Sequence, residues 1–125
     1  MAAALGCCGG QPLPTIKEGA DELTHWSAPQ PPAPVFVLLY SSADNVAAKA
    51  PAQFPAHKAR LDDFHARGEL LMVGTFGNPQ EEGSMAIFRS RQAAEDFVAG
   101  DPFVRNGVVS AWEIRQWNVT YRDGP

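Results

Sequence analysis

The sequence predicts one α+β domain with the element order β-α-β-β-α-β, preceded by an arm of different character. Three observations point to this. Apolar residues make up 45% of the 125 residues and charged residues 19%, which suits one packed core and argues against disorder throughout. Runs rich in strand formers alternate with stretches whose apolar residues recur at helical spacing. Six of the eleven prolines (Pro12, Pro14, Pro29, Pro31, Pro32, Pro34) lie before residue 35, where spacer chemistry is concentrated.

The arm is residues 1–34. Its last seven residues, Ala28-Pro29-Gln30-Pro31-Pro32-Ala33-Pro34, read as a polyproline II spacer, because proline fixes φ and removes backbone donors. Between the proline groups, Thr15-Ile16-Lys17-Glu18 has the spacing of a capping box, followed by Ala20 and Leu23 at helical spacing. A short helix over 16–25 is expected, if Leu23 and Trp26 find something to pack on, since so short a helix is marginal alone. Cys7 and Cys8 are adjacent and cannot staple distant parts of a fold. Leu5-Gly6-Cys7 resembles a lipoprotein cleavage site, but only six residues precede Cys7 and they hold no basic or long apolar region. A reduced, cytoplasmic setting is the expectation.

The domain is expected over residues 35–120, with 121–125 as a tail. Val35 to Tyr40 is a continuous apolar run and predicts the first strand. Ala52 to Arg67 predicts a helix, with Phe54, His57, Leu61, Phe64 and His65 on one stripe and Gly68 as its natural stop. Glu69 to Phe76 predicts the second strand, residues 77–83 a loop, and Ser84 to Arg89 the third strand. Ser90 is a good N-cap for a helix over 91–99 that buries Ala94, Phe97 and Val98. Asp101-Pro102-Phe103 opens a turn, and Val108 to Trp117 predicts the last strand. This order is the split βαβ arrangement of ferredoxin-like folds: an antiparallel four-stranded sheet with two helices on one face.

The strands carry a further message. Phe36, Leu38 and Tyr40 alternate with Val35, Val37 and Leu39, Leu70 and Met72 with Leu71 and Val73, and Ile87 with Ala86 and Phe88. Both faces are apolar, so the face without helices needs a cover, and a second copy packing sheet to sheet is the expected one. A strand pairing displaced by one residue is the alternative account.

The net charge of −4 argues against a nucleic-acid partner, and no apolar stretch nears the roughly 18 residues needed to span a bilayer. Phosphate-cradling glycine patterns, Gly-x-Ser-x-Gly and Cys/His metal spacings are missing from the sequence, so neither a metal nor another cofactor is expected. The residues left for chemistry are His57, on the sheet-facing stripe of the first helix, and Asp101. A desolvated imidazole oriented by a carboxylate makes a good general base. Two blander readings stand beside that one: His57 as a core histidine, and Asp101 as the N-cap of a turn with proline at its first position. His65 lies ~80° round the helix from His57 and reads as a packing or rim residue. His25, in the arm, reads as exposed.

The segments Phe54-Pro55-Ala56-His57-Lys58-Ala59-Arg60-Leu61, Gly68 to Gly74, Gly83-Ser84, Ser90 to Ala94 and Gly100-Asp101-Pro102-Phe103-Val104-Arg105-Asn106-Gly107-Val108 resemble the YciI-like (YCII-related) family. The resemblance runs from about Val35 to Trp117. It implies a dimeric α/β barrel, with His57 and Asp101 as the family's His–Asp pair facing a small pocket. A characterised branch of the family eliminates HCl from a chlorinated hydroxyquinol, and superfamily relatives include lactone isomerases and monooxygenases without a bound metal. Thr75 stands where many members have proline, so the pocket wall there differs, and the arm lies outside the resemblance.

The expected function is a cofactor-independent lyase or isomerase acting on a small cyclic or aromatic compound. His57 would abstract the proton and Asp101 would orient it. Tyr40 and Ser84 are candidates for hydrogen bonding to the substrate, and Met72, Gly74, Phe88 and Phe103 for lining its cavity. The alternative is a non-catalytic dimeric module that binds a small ligand or a protein, with the proline-rich arm as docking element. A third reading has the arm wrap its own barrel.

Overall fold

The structure is a computed structural model that describes residues 32–123. The arm's expected helix and docking role, Cys7, Cys8 and His25 therefore lie outside the described residues. Four strands, β1 (Val35–Ser42), β2 (Leu70–Thr75), β3 (Ser84–Phe88) and β4 (Val109–Trp117), form one antiparallel sheet in the order β2-β3-β1-β4. Two long helices, α1 (Val46–Ala66) and α3 (Arg91–Gly100), pack on one face of it. Two one-turn helices, α2 (Pro79–Glu82) and α4 (Pro102–Arg105), stand in the loops after β2 and α3. This is the expected ferredoxin-like α+β fold.

The helix-side core joins Leu38 and Tyr40 of β1, Leu70 of β2, Ala86 and Phe88 of β3, Phe64 of α1, and Ala93, Ala94, Phe97 and Val98 of α3. Phe64, Phe88 and Phe97 meet edge-on or tilted, with ring centroids 5.2–6.2 Å apart, the arrangement that aromatic quadrupoles favour. The second face carries its own apolar cluster, with Val35, Val37 and Ile87 buried and Leu39, Leu71, Met85 and Val119 beside them. The alternation read from β1 and β3 is thus the one observed.

Several boundaries differ from the expectation, each for a local reason. Helix α1 starts at Val46 rather than Ala52 and contains Pro51 and Pro55. Both prolines are exposed and four residues apart, so their missing amide donors fall on one solvent-facing edge and spare the packed side. The loop expected over 77–83 contains α2, because Asn78 caps it (its side chain accepts from the Gln80 amide, 3.2 Å) and Pro79 takes the first position. The turn at Pro102 is likewise a helical turn, α4.

The alternation expected in β2 fails after its first residues. Leu70 pairs with Phe88, but Met72 pairs with Ile87 and Val73 with Ala86, so one extra residue is accommodated at Leu71. Paired residues share a face, and the bulge therefore sends Met72 to the second face and Val73 to the helix side. Phe54 is half-exposed rather than buried on the α1 stripe, and His65 is exposed.

Candidate active site

One row of residues crosses the helix side of the sheet: Thr75 pairs with Ser84, Ser84 with Tyr40, and Tyr40 with Trp112. Tyr40 is held in that row by a tight backbone approach. Gly83 has φ of +80°, and a Cβ there would lie 1.9 Å from the Tyr40 carbonyl oxygen. Above the row, α1 contributes His57 at the position its helical spacing indicates. The chain leaving α3 contributes Asp101.

Asp101 is fully buried and accepts three hydrogen bonds. Its Oδ1 lies 2.7 Å from His57 Nδ1 and takes the Phe103 amide at 3.1 Å, while Oδ2 takes the Tyr40 hydroxyl at 2.6 Å. These donors offset the desolvation of a buried carboxylate. The carboxylate can only accept, so His57 donates from Nδ1, and Nε2 is the nitrogen left bare. Among the described residues Nε2 has no hydrogen-bond partner. The Tyr40 hydroxyl is held far above its ordinary pKa, first by burial and then by the hydrogen bond to Asp101 and that group's charge. It remains a neutral donor.

Phe103 stacks on the imidazole, with centroids 3.7 Å apart and planes within 2°, and Phe97 meets it edge-on at 6.2 Å. The ring thus has fixed tilt, fixed tautomer and little water around it, being 8% exposed. It lines a cavity of about 20 Å³ with Leu38, Tyr40, Leu61, Val73, Ser84 and Ala86, room for roughly one water. An imidazole so held can take a proton at Nε2 and keep the resulting cation paired with Asp101.

The structure brings His57, Asp101, Tyr40, Ser84 and Phe103 together. Two placements differ from the expectation in detail: the Tyr40 hydroxyl is engaged by Asp101 rather than turned to a ligand, and Phe103 stacks on the His57 ring rather than lining the cavity. Phe88 is fully buried against Phe64 and Phe97 and belongs to the core. Met72 and Gly74 border a hollow of about 190 Å³ on the second face instead, where the β2 bulge puts them. A larger hollow on that face, about 370 Å³, is lined by Val37, Leu39, Met85, Arg115, Gln116 and Trp117 and lies away from the dyad. Val73, Phe97 and Arg60 are not among the site residues expected from the sequence, which reads Phe97 as helix core and Val73 as strand. The sign for Arg60 is its spacing, three residues after His57 on the same helix. Among the described residues, no cluster of three or more His, Cys, Asp or Glu side chains is placed to hold a metal ion, and no helix is long and apolar enough to cross a membrane.

Two solved structures are similar to this one. A 5-chloro-2-hydroxyhydroquinone dehydrochlorinase from Burkholderia phenoliruptrix AC1100, solved with 2,5-dihydroxybenzoquinone, is 22% identical with a TM-score of 0.55 over 66% of this chain and 92% of its own. A heme-degrader from Mycobacterium tuberculosis, solved with two hemes, is 14% identical with a TM-score of 0.45 over 74% of this chain and 100% of its own. No curated protein matches the sequence. Residues 35–118 match the YCII-related domain, two thirds of the chain and every element of the sheet, so this chain belongs to the YCII-related family.

Proposed function

We propose that the protein is a lyase or isomerase that removes a proton from a small cyclic or aromatic compound, with His57 as base and Asp101 as its orienting partner. The observation that carries the reading is a buried imidazole, fixed in its tautomer by Asp101, that lines a cavity and whose Nε2 has no partner among the described residues. In an elimination, Nε2 takes a proton from carbon. The C–H electron pair becomes the new double bond, and chloride or another leaving group departs with its own bonding pair. The imidazolium remains paired with Asp101 until it releases its proton to water. Such acid–base chemistry requires no electron carrier.

The cavity admits only the reacting edge of a ring, so the rest of the substrate would lie at the mouth, where Val73 is half-exposed and the Ser84 hydroxyl can reach an oxygen. The similar dehydrochlorinase acts on a chlorinated hydroxyhydroquinone, which makes hydroxylated, halogenated rings the first substrates to try. We further propose a sheet-to-sheet homodimer, supported by the apolar second face, and a cytoplasmic setting, supported by the cysteine usage.

The test is turnover of a panel of chlorinated hydroxyquinols and small lactones. His57→Ala is expected to lower kcat/KM by about 10²–10⁴, the usual worth of a general base, and Asp101→Asn to lower it through a wrong tautomer. Equal rates for wild type and His57→Ala on a substrate that is turned over would remove His57 from the mechanism.

A further inference from the structure

We propose that Arg60 is the positioning residue that holds His57 against Asp101, by tying the helix that carries the histidine to the helix end that leads into the aspartate. The inference rests on the His57–Asp101 reading above and adds to it the group that sets their separation.

Arg60 lies one turn beyond His57 on α1 and reaches across to the last turn of α3. Its Nε donates to the Phe97 carbonyl (3.1 Å) and its Nη2 to the Asp96 carbonyl (2.7 Å). These carbonyls lie in the C-terminal part of α3, where the helix dipole favours a cation. The guanidinium also sits over the rings of Phe64 and Phe97, 5.0 and 5.7 Å from their centroids. Phe97 in turn meets the His57 ring edge-on, and the amide of Asp101 bonds the Val98 carbonyl at 3.3 Å. The clamp therefore grips Asp96 and Phe97, in the last part of the helix that leads into Asp101, from the same helix that delivers His57.

Gly100 fits this reading independently. A Cβ there would lie 2.6 Å from Arg60 Nη2 and 2.7 Å from Cζ, so any larger residue displaces the guanidinium. Neighbouring charges on the exposed side of α1 make no comparable link: Lys58 pairs with Asp62 within the same helix, both exposed.

The readout is the His57 ring in the full-length, ¹⁵N-labelled protein without substrate. The wild type is expected to show one tautomer, with a slowly exchanging proton on Nδ1. Arg60→Met keeps the apolar stem but removes the donors. It should speed exchange of that proton about tenfold, as local opening becomes easier, and move the two ring nitrogen signals toward each other. Arg60→Lys should fall between, and Gly100→Ala, which leaves Arg60 in place chemically but crowds it, should shift the signals in the same direction. Lys58→Met should change nothing. Wild-type His57 signals in folded Arg60→Met and Gly100→Ala would overturn the proposal, and if Arg60→Met does not fold, Gly100→Ala and Arg60→Lys decide by the same signals. Because the measurement needs no turnover, its failure leaves the catalytic reading standing, and an inactive wild type leaves the clamp standing.

Discussion

Asp101 shows how one side chain holds several roles at once. The sequence offered two accounts of it, a helix cap or a partner for histidine, and the structure makes both true through a single oxygen: Oδ1 accepts the Phe103 amide and the His57 Nδ1–H, while Oδ2 takes Tyr40. Capping α4 is what brings the carboxylate to the ring, so the bland reading supplies the geometry of the functional one. Tyr40 reports on this network through pH. Its folded pKa is raised from an ordinary 10.0, by burial first and by Asp101 second, so the folded chain keeps the phenol proton where the unfolded chain loses it. Its contribution to stability is complete below pH 10.0 and falls as pH rises above it toward the folded value. Tyr40→Phe should be less stable at neutral pH by about 1.5–3 kcal/mol, the usual worth of a hydrogen bond to a charged group. It should also show a flatter decline in urea midpoint between about pH 9 and 11. An identical slope in both proteins would mean that Tyr40 ionises as freely folded as unfolded.

Among the elements, what the sequence reveals is what depends on local periodicity. The β1 run, the α1 stop at Gly68 and the Ser90 cap with Phe97 and Val98 behind it are all decided within a few residues, and all are found. Of the α1 stripe, by contrast, only His57 and Phe64 are buried, and Phe54 and His65 face solvent. His57 was legible because it interrupts an apolar stripe, and Asp101 because Asp-Pro is a helix-start signature. The bulge at Leu71 was not legible, since β2 opens as a continuous apolar run that suits either face and only its pairing to β3 shows the extra residue. It exchanges the faces of Met72 and Val73 and carries two expected cavity residues, Met72 and Gly74, to the second face. Arg60 stayed hidden for the same reason, because its partners are 36 and 37 residues away. Gly83 is the position where strand geometry leaves least freedom. Gly83→Ala would place a methyl against the Tyr40 carbonyl at positive φ, so β1 and β3 would have to part where the site row crosses them. A loss of about 2 kcal/mol or more is expected, read from chemical denaturation. A loss of only a few tenths would mean that the α2 loop yields without moving Tyr40.

For the domain as a whole, the governing feature is the two-faced sheet. An antiparallel sheet with helices on one side tolerates water on the other only if that side is polar. Here β1 sends Val35, Val37 and Leu39 to the second face, where they gather with Ile87, Met85, Leu71 and Val119, and Met72 adds an exposed thioether at 67% accessibility. A second copy packing the same face against it would bury these side chains through a self-complementary surface, with Trp117 and Arg115 near its rim. The dyad lies on the opposite side of the sheet, so dimerisation and the integrity of the His57–Asp101 pair should separate. Leu39→Lys tests this, because Leu39 faces the proposed partner while its neighbours Leu38 and Tyr40 face the dyad. Sedimentation of the wild type should give twice the 13.5 kDa chain mass, and the variant should sediment as a single chain at micromolar concentration. The His57 ring signals should be the same in both. A monomeric wild type, or a variant that still sediments as a dimer, would mean that another surface or another cover completes the sheet. Ring signals lost together with the dimer would mean instead that the site is assembled across two chains.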